Sequence, residues 1–165
     1  MGAMIPPATP PDEEKRLQAL RALKLLDTPP EERFDRITLL AQRTFAVKMA
    51  LVSLIDADRQ WFKSKQGIEA TQAPRATSFC GHAILSDEPL IVPDAAKDPR
   101  FADNPLVIGE PYIRFYAGWP LKAPDGSRVG TLCIVDDKPR EFNADHRRAL
   151  RDMAEIVQEL LRTAP

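Results

Sequence analysis

The stretch from Tyr112 to Asp137 limits the possible folds more than any other part of the chain. "YIRFYAGWPLKA" (112–123) and "RVGTLCIVDD" (128–137) are apolar over strand-like lengths and are parted by a turn containing "PDG". Pro124 presets a type I turn, and Gly126 can take the left-handed position of the bulge that follows. That loop pairs Ala123 with Ser127 and, further back, Arg114 with Asp136. A hairpin demands antiparallel strands, so the sheet is expected to be antiparallel. Along the first strand, Ile113, Phe115, Ala117, Trp119 and Leu121 point one way, and Tyr112, Arg114, Tyr116 and Gly118 the other. The second set carries an arginine, two phenols and a gap, the ingredients of a small-molecule pocket.

The other elements follow from periodicity. "IPPATPP" (5–11) reads as a mobile lead-in, and "MGAM" (1–4) as a cloning scar. From Asp12, a candidate cap, Leu17, Leu20, Leu23 and Leu26 recur at threes and predict a helix of about four turns. Thr28 and two prolines open a second helix whose face is Phe34, Ile37, Leu40, Ala41 and Phe45. "MALVSLIDA" (49–57) and "QWFKSK" (60–65) form another hairpin, "QGIEATQAPRAT" is irregular, and "PLIVPDA" (89–95) is a further strand. "AKDPRFADNPLVIGEP" is a long polar connection of the kind that often carries function. Asn143 caps the last helix, along which Leu150, Met153, Val157 and Leu160 step like a coiled-coil seam. The order predicts one α+β domain over 12–162, with a three-residue tail at 163–165 and an antiparallel sheet backed by terminal helices.

Composition removes several functions. The chain has 165 residues with 23 basic and 24 acidic side chains, so nothing draws it to nucleic acid or an anionic membrane. No apolar run approaches the roughly 20 residues that span a bilayer. Two cysteines make no disulfide framework and fit a reduced, cytoplasmic chain.

"ALKLLDTPPEERFDRIT", "ALVSLIDADRQWFKS", "SFCGHAIL", "DPRFADNPLV", "IRFYAGWPL" and "GTLCIVDDKPREF" together resemble a bacterial GAF sensor domain. The type is the one found ahead of diguanylate cyclases and histidine kinases. The match spans roughly 13–162. The resemblance implies a sheet of order 2-1-5-4-3, terminal helices on one face and a ligand cavity on the other. It further implies homodimerisation through those helices, and a cyclase or kinase as output in cis or trans. It supplies no ligand, because fold is not function.

"SFCGHAIL" (78–85) is the densest chemistry. Ser78 caps a short helix and puts Cys80 in its first turn, where a thiolate is favoured. Cys80 and His82 sit about 200° apart around a helix, so they do not converge on one metal or one dyad. No further ligands lie nearby, which speaks against zinc. A buried, inert Cys80 is the plainer reading. His82 either lines the cavity or bonds a backbone carbonyl.

Free methionine-(R)-sulfoxide reductases are GAF enzymes that share an "FCGHA"-like piece. They need a second cysteine in the loop before the fourth strand. That loop has none here, and Cys133 lies in a strand. Bilin attachment needs a cysteine directly followed by histidine, and Gly81 intervenes; haem has no support either.

In the long connection, Asp94, Asp98, Arg100, Asp103 and Asn104 form either an ion pair with turn caps or a polar cavity wall. Arg114 divides between a partner for Asp136 and a clamp for an anionic ligand. Tyr116 would offer a ring and a hydroxyl, and Cys133 completes the candidate lining. Trp61 and Trp119 are packing residues, and His146 is exposed. The expectation is a non-catalytic sensory module whose small-molecule ligand shifts the terminal helices. The alternatives are a sulfoxide reductase and a ligand-free dimerisation platform.

Overall fold

The computed structural model describes residues 4–163. Most of the "MGAM" leader and the last two residues of the tail lie outside the described residues. The elements are α1 (Glu13–Ala22), α2 (Glu32–Phe45), β1 (Met49–Ile55), β2 (Arg59–Gln66), β3 (Gln72–Pro74), α3 (Phe79–Ala83), β4 (Leu90–Val92), α4 (Pro105–Ile108), β5 (Phe115–Lys122), β6 (Arg128–Asp136) and α5 (Ala144–Arg162). The sheet runs β3-β2-β1-β6-β5-β4, and every pairing is antiparallel. The expected order 2-1-5-4-3 is therefore present, with β3 added at one edge out of a stretch expected to be irregular. No helix among the described residues is long and apolar enough to cross a membrane.

Alternation along the strands splits the core in two. Ala50, Val52 and Leu54 of β1, Leu132 and Ile134 of β6, and Phe115, Ala117 and Leu121 of β5 face the terminal helices. They pack on Leu20, Phe34, Phe45, Leu150 and Val157. Leu51, Ile55, Cys133, Val135 and Tyr116 face the other way, under α3, α4 and the connection between β4 and β5. Trp61 is buried in the helix-side core and Trp119 packs against it, as packing residues should.

Several expectations are corrected in detail. α1 ends at Ala22 rather than near Thr28, because Lys24 and Asp27 take left-handed backbone conformations (φ 56° and 61°) that no helix continues through. Asp12 makes no side-chain cap. α2 starts at Glu32, and Leu40, placed on its apolar face, is 49% exposed. β5 starts at Phe115, not Tyr112. Tyr112 has φ 58° and is exposed, and that reversal sends Ile113 into the far-side core instead of the helix-side one. The hairpin turn is as expected, with Gly126 at φ 89° and Ala123 N–H bonded to the Ser127 carbonyl (2.9 Å). A bulge between Leu121 and Lys122 then shifts the register, so that Phe115, not Arg114, pairs with Asp136.

The supposed coiled-coil seam is part of the monomer core: Leu150, Met153 and Val157 are buried against the sheet. The outer face of α5 is mostly charged. Asn143 caps α5 as expected, accepting from the His146 N–H (2.9 Å), and exposed His146 returns the bond to the Asn143 N–H.

The lead-in expected to be mobile lies against α3. The Ile5 carbonyl meets His82 Nε2 at 3.2 Å, a Cβ on Gly81 would fall 2.8 Å from the Pro7 ring, and Pro10 is buried. Behind this strap, Glu13 receives bonds from both Arg16 (2.7 Å) and Arg75, and buried Arg16 also donates to the Ile55 carbonyl (2.7 Å). Burial pushes the Glu13 carboxyl up, but its bonds to Arg16 and Arg75 outweigh that and bring it from 4.5 down to about 2. A depressed carboxylate stabilises the fold above its unfolded pKa and stops doing so as pH falls through the folded one. Glu13→Gln should therefore cost about 1–2 kcal/mol at neutral pH. The gap from wild type should close between pH 4.5 and about 2, as read by chemical denaturation across pH; a gap independent of pH would refute the lock.

Candidate functional site

The candidate site is the sheet face away from the terminal helices. β1 presents Ser53 there, β6 presents its Cα partner Thr131 and then Cys133, and β5 presents Tyr116 and Gly118. α3 lies across them. Ser78 begins it as expected, its hydroxyl accepting from the Gly81 N–H (3.0 Å), and the first turn aims Cys80 at the sheet.

Cys80 is fully enclosed yet well partnered. Its sulfur receives bonds from Gln60 Nε2 and Thr131 Oγ1 and meets the Tyr116 hydroxyl, each at 3.1 Å. Gln60 also donates to Ser53 Oγ (2.8 Å). The Cys133 sulfur lies 3.7 Å from that of Cys80. Burial pushes the Cys80 thiol up, but hydrogen bonds from Cys133, Thr131 and Tyr116 outweigh it and hold the thiol below its ordinary range. Cys133 moves the other way, first through its bond to Cys80 and then through burial, so it keeps its proton. Burial also keeps Tyr116 protonated, as a donor to the sulfur.

The expected hollow is filled from within. A Cβ on Gly118 would meet the Tyr116 hydroxyl and lie 2.6 Å from Tyr116 Cζ, so the gap beside Tyr116 is occupied by its own ring. Phe79 stacks on Phe101 (centroids 4.1 Å apart) and tilts against Tyr116 (5.2 Å). Tyr116 and Cys133 are as buried as any apolar core residue. Two clefts open elsewhere. One of about 930 Å³ lies between the end of α1, the β5–β6 turn and the end of α5, lined by residues such as Leu23, Arg33, Pro124 and Leu161. Another of about 490 Å³ lies along β2 beside Asp27, Asp35 and Lys63. Neither is lined by Cys80, Arg114 or Tyr116.

The remaining candidates hold the covering layer in place. His82 points away from Cys80, bonds the Ile5 carbonyl and packs edge-on against Phe101 (4.9 Å); burial lowers its pKa from 6.5. Asp94 caps the turn at Ala96, and Asp98 pairs with Arg100 (2.7 Å). Asn104, offered as a turn cap or a cavity wall, is buried and a cap: it accepts from the Leu106 N–H at the start of α4 and donates to the Thr77 carbonyl (3.0 Å). Asp103 is exposed. Arg114 is neither a clamp nor a side-chain partner of Asp136. Its guanidinium donates to the Val107 carbonyl (2.8 Å), only its backbone N–H reaches the Asp136 carbonyl, and Asp136 pairs with Arg140 (2.8 Å). Among the described residues no three His, Cys, Asp or Glu side chains gather as a metal site requires.

Ser53, Gln60 and Thr131 were missed as site residues. Their signal was available: serine in "LVSLI" and threonine in "GTLCI" are polar interruptions on the same face of otherwise apolar strands.

A family model described as the GAF domain matches residues 29–160. A cyclic di-GMP phosphodiesterase of Pseudomonas aeruginosa is 42% identical over 161 residues, covering 97% of this chain but only 27% of that protein. The GAF domain of an Acinetobacter phosphoenolpyruvate-protein phosphotransferase superposes with a TM-score of 0.64 at 14% identity, over 89% of this chain and 92% of that one. The free methionine-R-sulfoxide reductase of Neisseria meningitidis gives 0.64 at 18% identity, over 98% and 96%. Likenesses at such identities speak for the fold alone.

If the Tyr116 ring fills the space over Gly118, Gly118→Ala should cost about 1–3 kcal/mol by overpacking. The same change in a Tyr116→Ala background should cost less than about 0.5 kcal/mol. Additive costs in the double-mutant cycle would show that the ring lies elsewhere.

Proposed function

Because this chain belongs to the GAF domain family, we propose that it is a regulatory module that binds a small molecule on the Cys80 face and passes its bound state to a signalling output. The observation that carries this reading is the polar cluster of Ser53, Gln60, Cys80, Tyr116, Thr131 and Cys133. It is built into a face the terminal helices do not use and is closed by one aromatic ring. Such a plug has two arrangements: folded over Gly118, or displaced by a ligand that takes over its bonds. A ligand that binds only the second shifts the balance by its differential affinity.

A route to the output exists in the packing. β5 carries Tyr116 and ends at Lys122, whose N–H donates to Gln158 of α5 (2.8 Å). Arg162 donates to the Ala123 carbonyl (3.2 Å), and Arg33 holds the end of α5 through the Leu160 carbonyl (3.0 Å). Displacing Tyr116 would strain β5 and be felt at the end of α5. The phosphodiesterase relative, of which this chain spans 27%, supports an output that handles cyclic di-GMP. The homodimer through the terminal helices that the resemblance implies stays part of the proposal; Leu150, Met153 and Val157 are engaged in the monomer core and do not serve it.

A second reading is favoured by one observation. The sequence places no cysteine in the loop where such reductases need one, yet Cys133, in a strand, lies 3.7 Å from Cys80. That proximity supports thiol chemistry, including a sulfoxide reductase.

Native mass spectrometry of freshly purified chain tests the regulatory reading. A retained small molecule, lost in the Gly118→Leu variant, is the expected result. A bare chain would contradict it and favour a ligand-free platform. Incubation with free methionine sulfoxide and thioredoxin should give no turnover; steady turnover abolished by Cys80→Ser would replace regulation with catalysis.

A further inference from the structure

We propose that Cys80 and Cys133 form a buried two-thiol site that small hydroperoxides oxidise to a disulfide, making this face a peroxide-responsive modification site. The inference is independent of any small-molecule ligand.

Three observations carry it. First, the two sulfurs, on separate elements, lie 3.7 Å apart. A disulfide needs about 2.0 Å, so closing the gap takes a shift of under about 2 Å. Second, the two sulfurs stand in unequal settings. Cys80 sits inside a ring of hydrogen-bond donors, Gln60, Thr131 and Tyr116, which stabilise a thiolate. Cys133, on the central strand β6, keeps its proton and lies beside Cys80, Thr131 and Ser53. The site thus supplies an attacking sulfur and a protonated resolving sulfur side by side. Third, the two cysteines differ in freedom to move. Cys133 is fixed in register between β1 and β5. Cys80 rides on α3, which spans only Phe79–Ala83 and is held from outside by the Ile5–Pro7 strap. A local opening of so short a helix admits a molecule the size of hydrogen peroxide and lets Cys80 travel to Cys133.

The chemistry balances in two steps. The Cys80 thiolate attacks one peroxide oxygen and the O–O bond breaks. This leaves Cys80 as a sulfenic acid, while the other oxygen takes a proton from solvent and departs as water or an alcohol. The Cys133 sulfur then attacks the sulfenic sulfur; its proton and the hydroxyl leave as water, and the S–S bond forms. Overall two thiols lose two electrons and two protons, and the hydroperoxide is reduced. A dithiol reductant resets the site by exchange.

The bond would pull Cys80 out of its donor ring and leave the Tyr116 hydroxyl without its sulfur partner. Oxidation and ligand binding would then act on the same plug.

The test needs no variant to begin. The folded 165-residue chain is exposed to hydrogen peroxide, unfolded in iodoacetamide without reductant, digested and mapped by mass spectrometry. An intramolecular Cys80–Cys133 linked peptide, removed by thioredoxin, is expected. In Cys133→Ser the reaction should stop at a Cys80 sulfenic acid that dimedone traps. In Cys80→Ser, Cys133 should be consumed at least about tenfold more slowly. Two outcomes overturn the proposal: both thiols alkylated after a peroxide dose that oxidises them in the urea-unfolded chain, or cross-links only between separate chains. Neither outcome bears on whether the chain retains a small molecule, so this proposal and the regulatory reading fail separately.

Discussion

The tyrosine ring folded over Gly118 decides how much of the far side of the sheet is left for anything else. Two residues apart on β5, Tyr116 and Gly118 share a face, and only a residue without a Cβ leaves room for the ring to lie flat. The ring fills the space that a bulkier neighbour would have taken and carries its hydroxyl to the Cys80 sulfur. From that contact the remaining donors, Gln60 and Thr131, find an acceptor in an otherwise apolar core. A buried polar cluster holds together only if each member is partnered, so the ring, the sulfur and the two strands stand or fall as one unit.

The same unit is linked to both ends of the chain. On one side, α3 lies under the N-terminal strap, and Arg75, just before it, is held by Glu13 at the start of α1. On the other, β5 runs from the Tyr116 ring to the turn that clasps α5 through Gln158 and Arg162. Both connections are completed by charged or hydrogen-bonded groups at element ends, beside the apolar packing of α5 on the sheet and of Pro7 on α3. They can therefore let go or reform without dissolving either half of the core. That is the physical content of calling the module regulatory.

The sheet was legible in the sequence because period-2 alternation and a Pro–Asp–Gly turn leave few alternatives. The Ser78 and Asn143 caps were legible because capping is local chemistry. What was lost depended on partners distant in the chain. The helix-like run after Ala22 hid two left-handed residues, Lys24 and Asp27, that end α1. The register slipped by one at a bulge that the turn alone does not announce. The leucine steps of α5 have a spacing common to coiled coils and to helices packed on a sheet, and only the sheet's position selects between them. Arg114, Asn104 and Asp98 stay open in the sequence between structural and ligand-facing roles, because polar side chains near a long connection look alike whether they greet a ligand or a backbone carbonyl. Gly118 did signal a gap, but nothing in the sequence says that its neighbour's ring occupies it.

The most direct measurement is the set of nuclear Overhauser contacts of the Tyr116 ring in chain refolded free of any retained small molecule. Close contacts from its ring protons to the Gly118 α-protons and the Cys80 β-protons are predicted. A ring without those contacts in the ligand-free chain, exchanging freely with solvent, would contradict the account at its root.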